Sequence, residues 1–325
     1  MRQDGSLETS SHIEASEFCG FRKFRLVEVT DGEIRGEFPM TTDSAGWWRP
    51  FDAYYGEQTK PYMALVECGW DNEKVKRFLE NYGPIGTNLQ PSVKTGVYRL
   101  AEFHLEQWLL HFAVALSGLM GKAYLVQKAL VKAIEDAHKN AERIERENKT
   151  RKTIESAGAW RQIIRRIVIA ARLRSPKQEP PQETDFIAYL TKHIDSLTER
   201  RLIATAHSYL TQELWRRLEK VRLFMEFPSG KQPRLMADCP DTLTSFYFML
   251  ARDWDAGRAP LVCGYCKRFF IPQRKNASYC ERSKCKEQGR KNANWERHKA
   301  KYARARKRKR LRGRRAEGFR ASGTR

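Results

Sequence analysis

Four cysteines near the C-terminus are the residues of this chain most suited to chemistry. Cys263 and Cys266 are separated by two residues, Cys280 and Cys285 by four, and thirteen residues lie between the two pairs. Two close pairs across so short a span can place four thiolates around one Zn²⁺ ion. Because four protein ligands leave no position for water, we expect one structural zinc ion. Two disulfides, or free thiols in an ordinary turn, are the alternatives that the spacing leaves open.

The residues between these cysteines predict a treble clef, in which a tight turn, a hairpin and a helix surround the metal. Gly264 and Tyr265 would form the turn. Residues 269–271 predict a short strand, and Tyr279 is expected to return beside it after a turn at residues 274–276. Cys285 is expected in the first turn of the following helix, where the positive end of the helix dipole favours a thiolate.

The chain becomes strongly basic directly after the cysteines. Residues 263–325 hold 23 lysines and arginines and four acidic residues, a net charge of +19, whereas the first 262 residues carry only +3. A cationic arm beside a metal module is typical of nucleic-acid binding, because lysine and arginine neutralise phosphates and release counterions. A solvated tail that only aids solubility is the alternative. The residues predicted to contact nucleic acid are Arg290, Lys291, Arg297, Lys301, Arg304, Arg306, Lys307, Arg308, Lys309 and Arg310.

Two aromatic residues interrupt the polar sequence of this arm, which contains no proline over residues 286–312. A continuous helix over that range would reach about 40 Å. Trp295 and Tyr302 are seven residues apart and fall on one face of such a helix. Stacking on bases is one role for them, but we expect Trp295 to pack on the finger.

Composition and cysteine use predict a soluble protein of a reducing compartment. Three further cysteines, Cys19, Cys68 and Cys239, are scattered, and an odd count with one tight cluster is unlike a secreted disulfide scaffold. Residues 1–17 lack the apolar core of a signal peptide, and the longest apolar run, residues 109–120, is too short for a membrane span. We expect a cytoplasmic, nucleoid-associated protein with no membrane partner.

Hydrophobic periodicity predicts a mainly α-helical protein with a small N-terminal β-hairpin region (α+β). The hairpin would pair residues 24–29 with residues 33–38 around an Asp-Gly turn. A compact helix is expected to be capped by Asp71 or Asn72 and to end at Gly83. A C-terminal four-cysteine treble-clef zinc finger followed by a basic helix completes the predicted fold class.

Composition shifts divide the chain into five segments. The predicted helical domain includes a continuous helical pattern from Val97 to about Arg174, a set from Phe186 to about Phe227, and a helix that opens at Asp241 and runs out at Gly257. The segments are a disordered N-terminus (1–17), a mixed α/β segment (18–96), a helical domain (97–262) with a linker near 175–183, the zinc finger (263–290) and a basic helical or disordered tail (291–325).

The finger resembles the CGNR-type zinc finger, through Cys263-Gly-Tyr-Cys-Lys-Arg-Phe-Phe, Tyr279-Cys280, Cys285 and the basic helix that follows. The resemblance implies a bacterial protein with a helical N-terminal domain of the ABATE type and a role in stress-linked transcription regulation. After Cys285 the chain reads Lys286-Glu287-Gln288 rather than the Gly-Asn-Arg of that family. The role of those family residues is therefore not carried over to this chain.

These patterns predict a zinc-finger protein that binds nucleic acid, DNA in preference to RNA, as a bacterial transcription regulator. An RNA- or ribosome-associated factor, a nuclease or toxin targeted by the finger, and a protein-interaction module are the alternatives. No catalytic motif is present, so no enzyme is predicted, although an acidic cluster assembled from distant positions is not excluded. A homodimer and a small-molecule ligand of the helical domain remain open.

Overall fold

The chain folds into two compact units, residues 1–261 and residues 262–325. The structure is a computed structural model, and it describes residues 13–15, 25–30, 32–37, 60–85, 95–147, 151–173, 183–226, 234–272 and 277–321. Most of the described residues are helical, with short and mostly antiparallel strands and a cysteine cluster near the C-terminus, which confirms the predicted fold class.

The described elements are short strands and longer helices. The helices in the described residues are α1 (Pro61–Cys68), α2 (Asn72–Tyr82), α3 (Leu100–Leu119), α4 (Ala123–Glu147), α5 (Arg151–Ala170), α6 (Glu183–Asp195), α7 (Glu199–Leu218), α8 (Thr242–Asp255) and α9 (Ser283–Ala321). The strands are β1 (Ile13–Ala15), β2 (Arg25–Val29), β3 (Glu33–Glu37), β4 (Thr95–Arg99), β5 (Arg222–Glu226), β6 (Arg234–Asp238), β7 (Leu261–Val262) and β8 (Phe269–Phe270).

The predicted hairpin is present as β2 and β3, and it gains a third strand. β4 pairs antiparallel with β3 along its whole length, so the sheet order is β2-β3-β4. The prediction of helix from Val97 onward is therefore wrong for residues 97–99, and α3 begins at Leu100. A strand is stabilised by a neighbouring strand, and the partner of β4 lies some 60 residues earlier in the chain, so the local sequence does not reveal it.

The capping residues of α2 act as the sequence predicts. Asp71 Oδ1 accepts hydrogen bonds from the backbone N–H groups of Glu73 at 3.0 Å and Lys74 at 3.3 Å. At the other end Gly83 adopts φ 76°, and its N–H donates to Leu79 O at 2.8 Å. Both ends of the helix thus satisfy backbone groups that would otherwise lack partners.

A second small sheet replaces part of the predicted C-terminal helical pattern of the first unit. Residues 222–226 form β5, paired antiparallel with β6, so the expectation of helix up to about Phe227 is wrong after Leu218. β1 pairs parallel with β6, which makes the predicted disorder of the N-terminus wrong for residues 13–15. Both errors have one physical cause, because a strand of five residues or fewer depends on a distant partner for its hydrogen bonds.

The main core of the first unit lies between α3, α4, α5, α6 and α7. Trp160 is 2% exposed and meets Trp108 edge-on at 5.4 Å between ring centroids. Trp108 stacks on Phe112, which in turn contacts Tyr209 at 5.1 Å, so aromatic rings connect three helices. Burying one such side chain contributes about 1.5–3 kcal/mol. The predicted linker lies outside the described residues except for Glu183, which begins α6.

α8 runs between the cap and the stop that the sequence predicts. Asp241 Oδ1 accepts from Thr244 N–H at 2.7 Å, and the helix ends before Ala256 and Gly257. The chain then passes close to α3, because a Cβ at Gly118 would lie 2.2 Å from Pro260 O. Only glycine fits that approach. No helix among the described residues combines the length and the apolar content needed to cross a membrane.

Candidate metal centre and basic helix

The four predicted cysteines meet at one point in the second unit. Their sulfur atoms all lie within 4.8 Å of one another, and Cys266 Sγ and Cys280 Sγ are 3.7 Å apart. None of the four forms a disulfide, which needs about 2.05 Å between the sulfurs. A tetrahedron with metal–sulfur bonds of about 2.3 Å has edges of about 3.8 Å. The cluster is therefore positioned to hold a metal ion, as the spacing predicts.

The turn between the first two cysteines is closed by backbone hydrogen bonds. Cys263 N–H donates to Arg268 O at 2.9 Å, and Lys267 N–H donates to Cys263 O at 3.1 Å. Lys267 has φ 60°, a left-handed conformation that costs a non-glycine residue about 1–3 kcal/mol. Its side chain donates to Gly264 O at 3.0 Å and so ties the turn from outside. Strands β7 and β8 pair on either side of this turn.

The backbone around Cys263 prepares that sulfur to be a thiolate. Burial acts to raise its pKa, but hydrogen bonds from the backbone N–H groups of Cys280, Cys266 and Tyr265 outweigh burial and lower the pKa of Cys263 to about 6. Burial together with hydrogen bonds to the other thiols raises the pKa of Cys285 to about 12. One sulfur is thus set to carry negative charge unaided, and several thiolates together need a cation to balance them.

The predicted hairpin between residues 269–271 and Tyr279 is wrong. β8 pairs instead with β7, and Gly264 N–H donates to Ser278 O at 2.9 Å. The predicted turn at residues 274–276 lies outside the described residues. The segment that leads to Cys280 therefore contacts the Cys263–Cys266 turn directly. This contact accompanies the close approach of the Cys280 sulfur to the sulfurs of that turn.

Tyr279 fixes the helix that follows to the cysteine turn. Its ring lies against two glycines: a Cβ at Gly264 would be 3.2 Å from Tyr279 Cε1, and a Cβ at Gly289 would be 2.8 Å from Tyr279 Cδ2. Asn292 Nδ2 donates to the Tyr279 hydroxyl at 2.8 Å. We call Gly264, Tyr279, Gly289 and Asn292 the tyrosine clamp. The clamp sets the direction in which the basic helix leaves the metal centre.

Cys285 lies in the first turn of α9, as predicted, but α9 is longer than the sequence suggests. It runs without interruption from Ser283 to Ala321, 39 residues, or about 58 Å. The predicted boundary at residues 290 and 291 falls inside this helix. After the clamp, the side chains that the structure describes between Arg290 and Arg306 are exposed. A helix that is polar and exposed on all sides gains little from packing against its own chain.

The predicted nucleic-acid contacts are distributed along this helix. Arg290, Lys291, Arg297, Lys301, Arg304 and Arg306 are exposed, and residues 307–310 belong to the same helix with side chains outside the described part. Lys291 Nζ pairs with Glu287 at 2.7 Å, so part of its charge is already balanced. That these residues contact nucleic acid stays a prediction.

The expectation that Trp295 packs on the finger is wrong. Trp295 is 65% exposed and Tyr302 is 73% exposed, at positions seven residues apart on the same helix. Lys299 lies four residues after Trp295 and is exposed beside it. The sequence prediction omitted Lys299, although its i, i+4 spacing from Trp295 was a signal that could have found it. Two aromatic rings and nearby cations thus share an exposed face.

Two histidines of the helical unit contact neighbouring side chains of the same unit. His104 is buried and stacks on Trp70 with ring centroids 4.0 Å apart. His138 Nε2 lies 3.1 Å from Glu142 Oε1 on the same helix. Among the described residues, the four cysteines are the one group of His, Cys, Asp or Glu side chains placed to share a metal ion.

No protein-family model, curated protein or solved structure matches this chain. The resemblance to the CGNR-type finger and the ABATE-type domain therefore stays a prediction based on the cysteine spacing and its surroundings. The geometry of the cluster and of α9 supports the functional proposal without a relative.

Proposed function

We propose that the protein binds nucleic acid through α9, with one structural zinc ion in the four-cysteine centre, and acts as a bacterial transcription regulator on duplex DNA. The observation that carries the proposal is the basic helix itself. It leaves the metal centre in a direction fixed by Tyr279, and every described lysine and arginine side chain on it, from Lys284 to Arg306, is exposed. Few acidic residues lie near it in the sequence to neutralise these cations, since residues 263–325 hold only four.

Zinc is the metal that this centre suits best. Four thiolates in a tetrahedral arrangement select zinc or an iron–sulfur cluster. The sulfur spacing fits a single ion at the centre of the four. With every position taken by sulfur, the ion would stabilise the fold of the finger and carry out no hydrolysis.

The helix has the physical properties that phosphate binding requires. Residues 301–325 hold 12 lysines and arginines and one acidic residue. Such charges repel one another in isolation and gain when a polyanion replaces solvent ions. The length of α9, about 58 Å, exceeds the repeat of one DNA turn, about 34–36 Å. One helix can therefore reach phosphates on more than one turn of a duplex.

A salt titration with duplex DNA tests the proposal. If half of the ten predicted cations contact phosphates, log affinity falls with log salt at a slope of about −4.5. Changing Lys301, Arg304 and Arg306 together to glutamine is expected to reduce that slope by about 2.7. A matched control changes the exposed Lys122, which precedes α4, and the exposed Lys128 and Lys139 of α4 to glutamine, with the same loss of charge. Equal effects of the two variants, or binding without salt dependence, would overturn the proposal.

A second candidate, binding of RNA or single strands, is favoured by the exposed face of Trp295 and Tyr302. Unpaired bases stack on such rings with about 1–3 kcal/mol per base, whereas paired bases are not accessible to them. Competition between duplex DNA, single-stranded DNA and tRNA for the full chain distinguishes the candidates. Trp295→Ala would weaken single-strand binding and leave duplex binding nearly unchanged. Trp215→Ala is the control, since Trp215 is 76% exposed in the first unit.

A further inference from the structure

A cavity of about 370 Å³ opens within the first unit, between the end of α1, the middle of α3 and the first half of α4. This volume lies in the range of small-molecule sites, about 300–1,000 Å³. The cavity is independent of the metal centre and of α9, and nothing in the proposed nucleic-acid function uses it.

Small side chains on two helices create the space. Ala115 on α3 and Ala129 and Ala133 on α4 line the cavity, where larger residues would fill the gap between the helices. The alanines of α4 are four residues apart and so lie on the same face. Protein interiors are otherwise closely packed, so a space of this size lined by three alanines is available to a ligand.

Aromatic rings held in place by other contacts form much of the wall. Trp70 stacks on His104 at 4.0 Å, and the guanidinium of Arg143 lies 4.8 Å from its ring centroid. Trp108 and Phe112 stack on each other at 5.5 Å. These rings face the same cavity. Aromatic side chains that other contacts already hold in place can bind a flat, apolar molecule without a further loss of side-chain entropy.

The polar groups in the wall carry an excess of negative charge. Glu67 and Asp136 contribute carboxylates, while Lys132 contributes one cation. Arg143 contacts the Trp70 ring but does not line the cavity, so the lining itself carries one net negative charge and favours a cation over an anion.

Gln107 adds a donor to the site. It is 5% exposed and lines the cavity, and its Oε1 lies 3.4 Å from His104 Nδ1. Its amide Nε2 is a donor that can serve a ligand acceptor in the cavity.

We propose that this cavity binds a small planar aromatic molecule that carries a positive charge, with its ring between the indoles of Trp70 and Trp108 and its charge near Asp136 and Glu67. In a nucleic-acid-binding protein such a site would receive a chemical signal, but the binding itself does not depend on that role.

Three probes with one ring system and different charges test the proposal on the full chain: tryptamine, indole and indole-3-acetate. Isothermal titration calorimetry is expected to show tryptamine binding at least tenfold more tightly than indole-3-acetate, with indole between them. The shared ring isolates the effect of charge. Failure of all three to bind at millimolar concentration, or tighter binding of the anion, would overturn the proposal.

Two variants locate the binding. Ala129→Leu fills the cavity and is expected to weaken tryptamine at least tenfold. Asp136→Asn keeps the volume and is expected to weaken tryptamine about fivefold, with little effect on indole. Asp255→Asn, an exposed residue at the end of α8, is the matched control. The site assignment would be wrong if Asp136→Asn left the preference for tryptamine over indole unchanged. It would also be wrong if Ala129→Leu bound tryptamine as tightly as the wild type with unchanged helicity. Loss of DNA binding by α9 variants has no bearing on this result.

Discussion

The ring of Tyr279 lies against the backbone of Gly289, so that a Cβ at Gly289 would come within 2.8 Å of Tyr279 Cδ2. The same ring lies against Gly264, so Tyr279 connects the helix that carries Cys285 to the turn that carries Cys263 and Cys266. The contact therefore fixes the direction in which α9 leaves the cysteine cluster, because α9 cannot rotate about its axis without displacing the Tyr279 ring.

Gly289→Ala is expected to weaken zinc binding about fivefold. The added methyl group displaces Tyr279, and overpacking of this kind costs about 1–3 kcal/mol, while the better helix propensity of alanine returns about 1 kcal/mol. A competition assay with a chromophoric chelator measures the affinity. Gly158→Ala on α5 is the control, since nothing lies within 4 Å of a Cβ there, and it should raise thermal stability instead. Unchanged zinc affinity in Gly289→Ala would contradict the clamp.

Cys285→Ser is expected to lower the zinc content of the purified protein well below one ion per chain. A serine hydroxyl remains protonated at neutral pH and is a poor ligand for zinc beside three thiolates. Elemental analysis gives the metal content, and Co²⁺ substitution gives the ligand set through its thiolate absorption bands. Cys68→Ala serves as the control, because Cys68 is buried in α1 of the first unit and is not one of the four clustered cysteines. A zinc content equal in both variants would contradict the assignment.

Glu213→Gln is expected to lower the free energy of unfolding of the first unit by about 3 kcal/mol. The Glu213 carboxylate is buried and accepts hydrogen bonds from Arg166 at 2.9 Å, Arg216 at 2.6 Å and Arg217 at 3.1 Å. Removing its charge leaves three guanidinium groups without their common partner. Chemical denaturation measures the loss. Glu33→Gln breaks an exposed pair with Arg35 and should cost less than about 1 kcal/mol.

Acidification from pH 7 to pH 5 is expected to destabilise the first unit through His104, which is buried. Burial and the nearby charge of Arg143 lower the pKa of this imidazole, against a weaker opposing hydrogen bond to Gln107. Below pH 6.5 the unfolded chain therefore binds protons that the folded state rejects, and stability falls until the folded-state pKa is passed. Denaturant midpoints across this range test the effect. His104→Gln should flatten the profile, whereas His298→Gln, on the exposed part of α9, should not.

A second loss of stability is expected at lower pH from Glu213. Burial acts to raise its pKa, but the hydrogen bond and charge of Arg216, with the charges of Arg217 and Arg166, outweigh burial and lower the pKa. Its contribution is thus complete above about pH 4.5 and disappears as the pH falls through the lowered value. The Glu213→Gln protein should lack this acid transition and keep the histidine one.

Local chemistry made several features of this protein predictable. The caps of α2 and α8 depend on Asp71 and Asp241, which bond to amides two or three residues away. The meeting of the four cysteines depends on short spacings and on the preference of thiolates for a shared metal. In each case the deciding partners are close in sequence, so the pattern of residues contains the answer.

Other features depended on partners that the sequence does not place. β5 and β1 form because β6 lies between them, and β4 forms beside β3, yet each of these segments alone fits a helix or no structure. Tyr279 was expected in a hairpin, but the glycines on either side of its ring give it a different role. The exposure of Trp295 likewise depends on the tertiary structure, because it reflects how little of the described chain packs against the indole.

The sequence by itself determined that this protein has a cysteine cluster suited to a metal, a basic helix after it and a mainly helical body, because spacing, charge and periodicity act over a few residues. Only the tertiary structure decided the direction of α9 at the tyrosine clamp, the strands β1, β4 and β5, and the cavity between α1, α3 and α4. Those depend on contacts between distant segments, where packing free energy outweighs local preference.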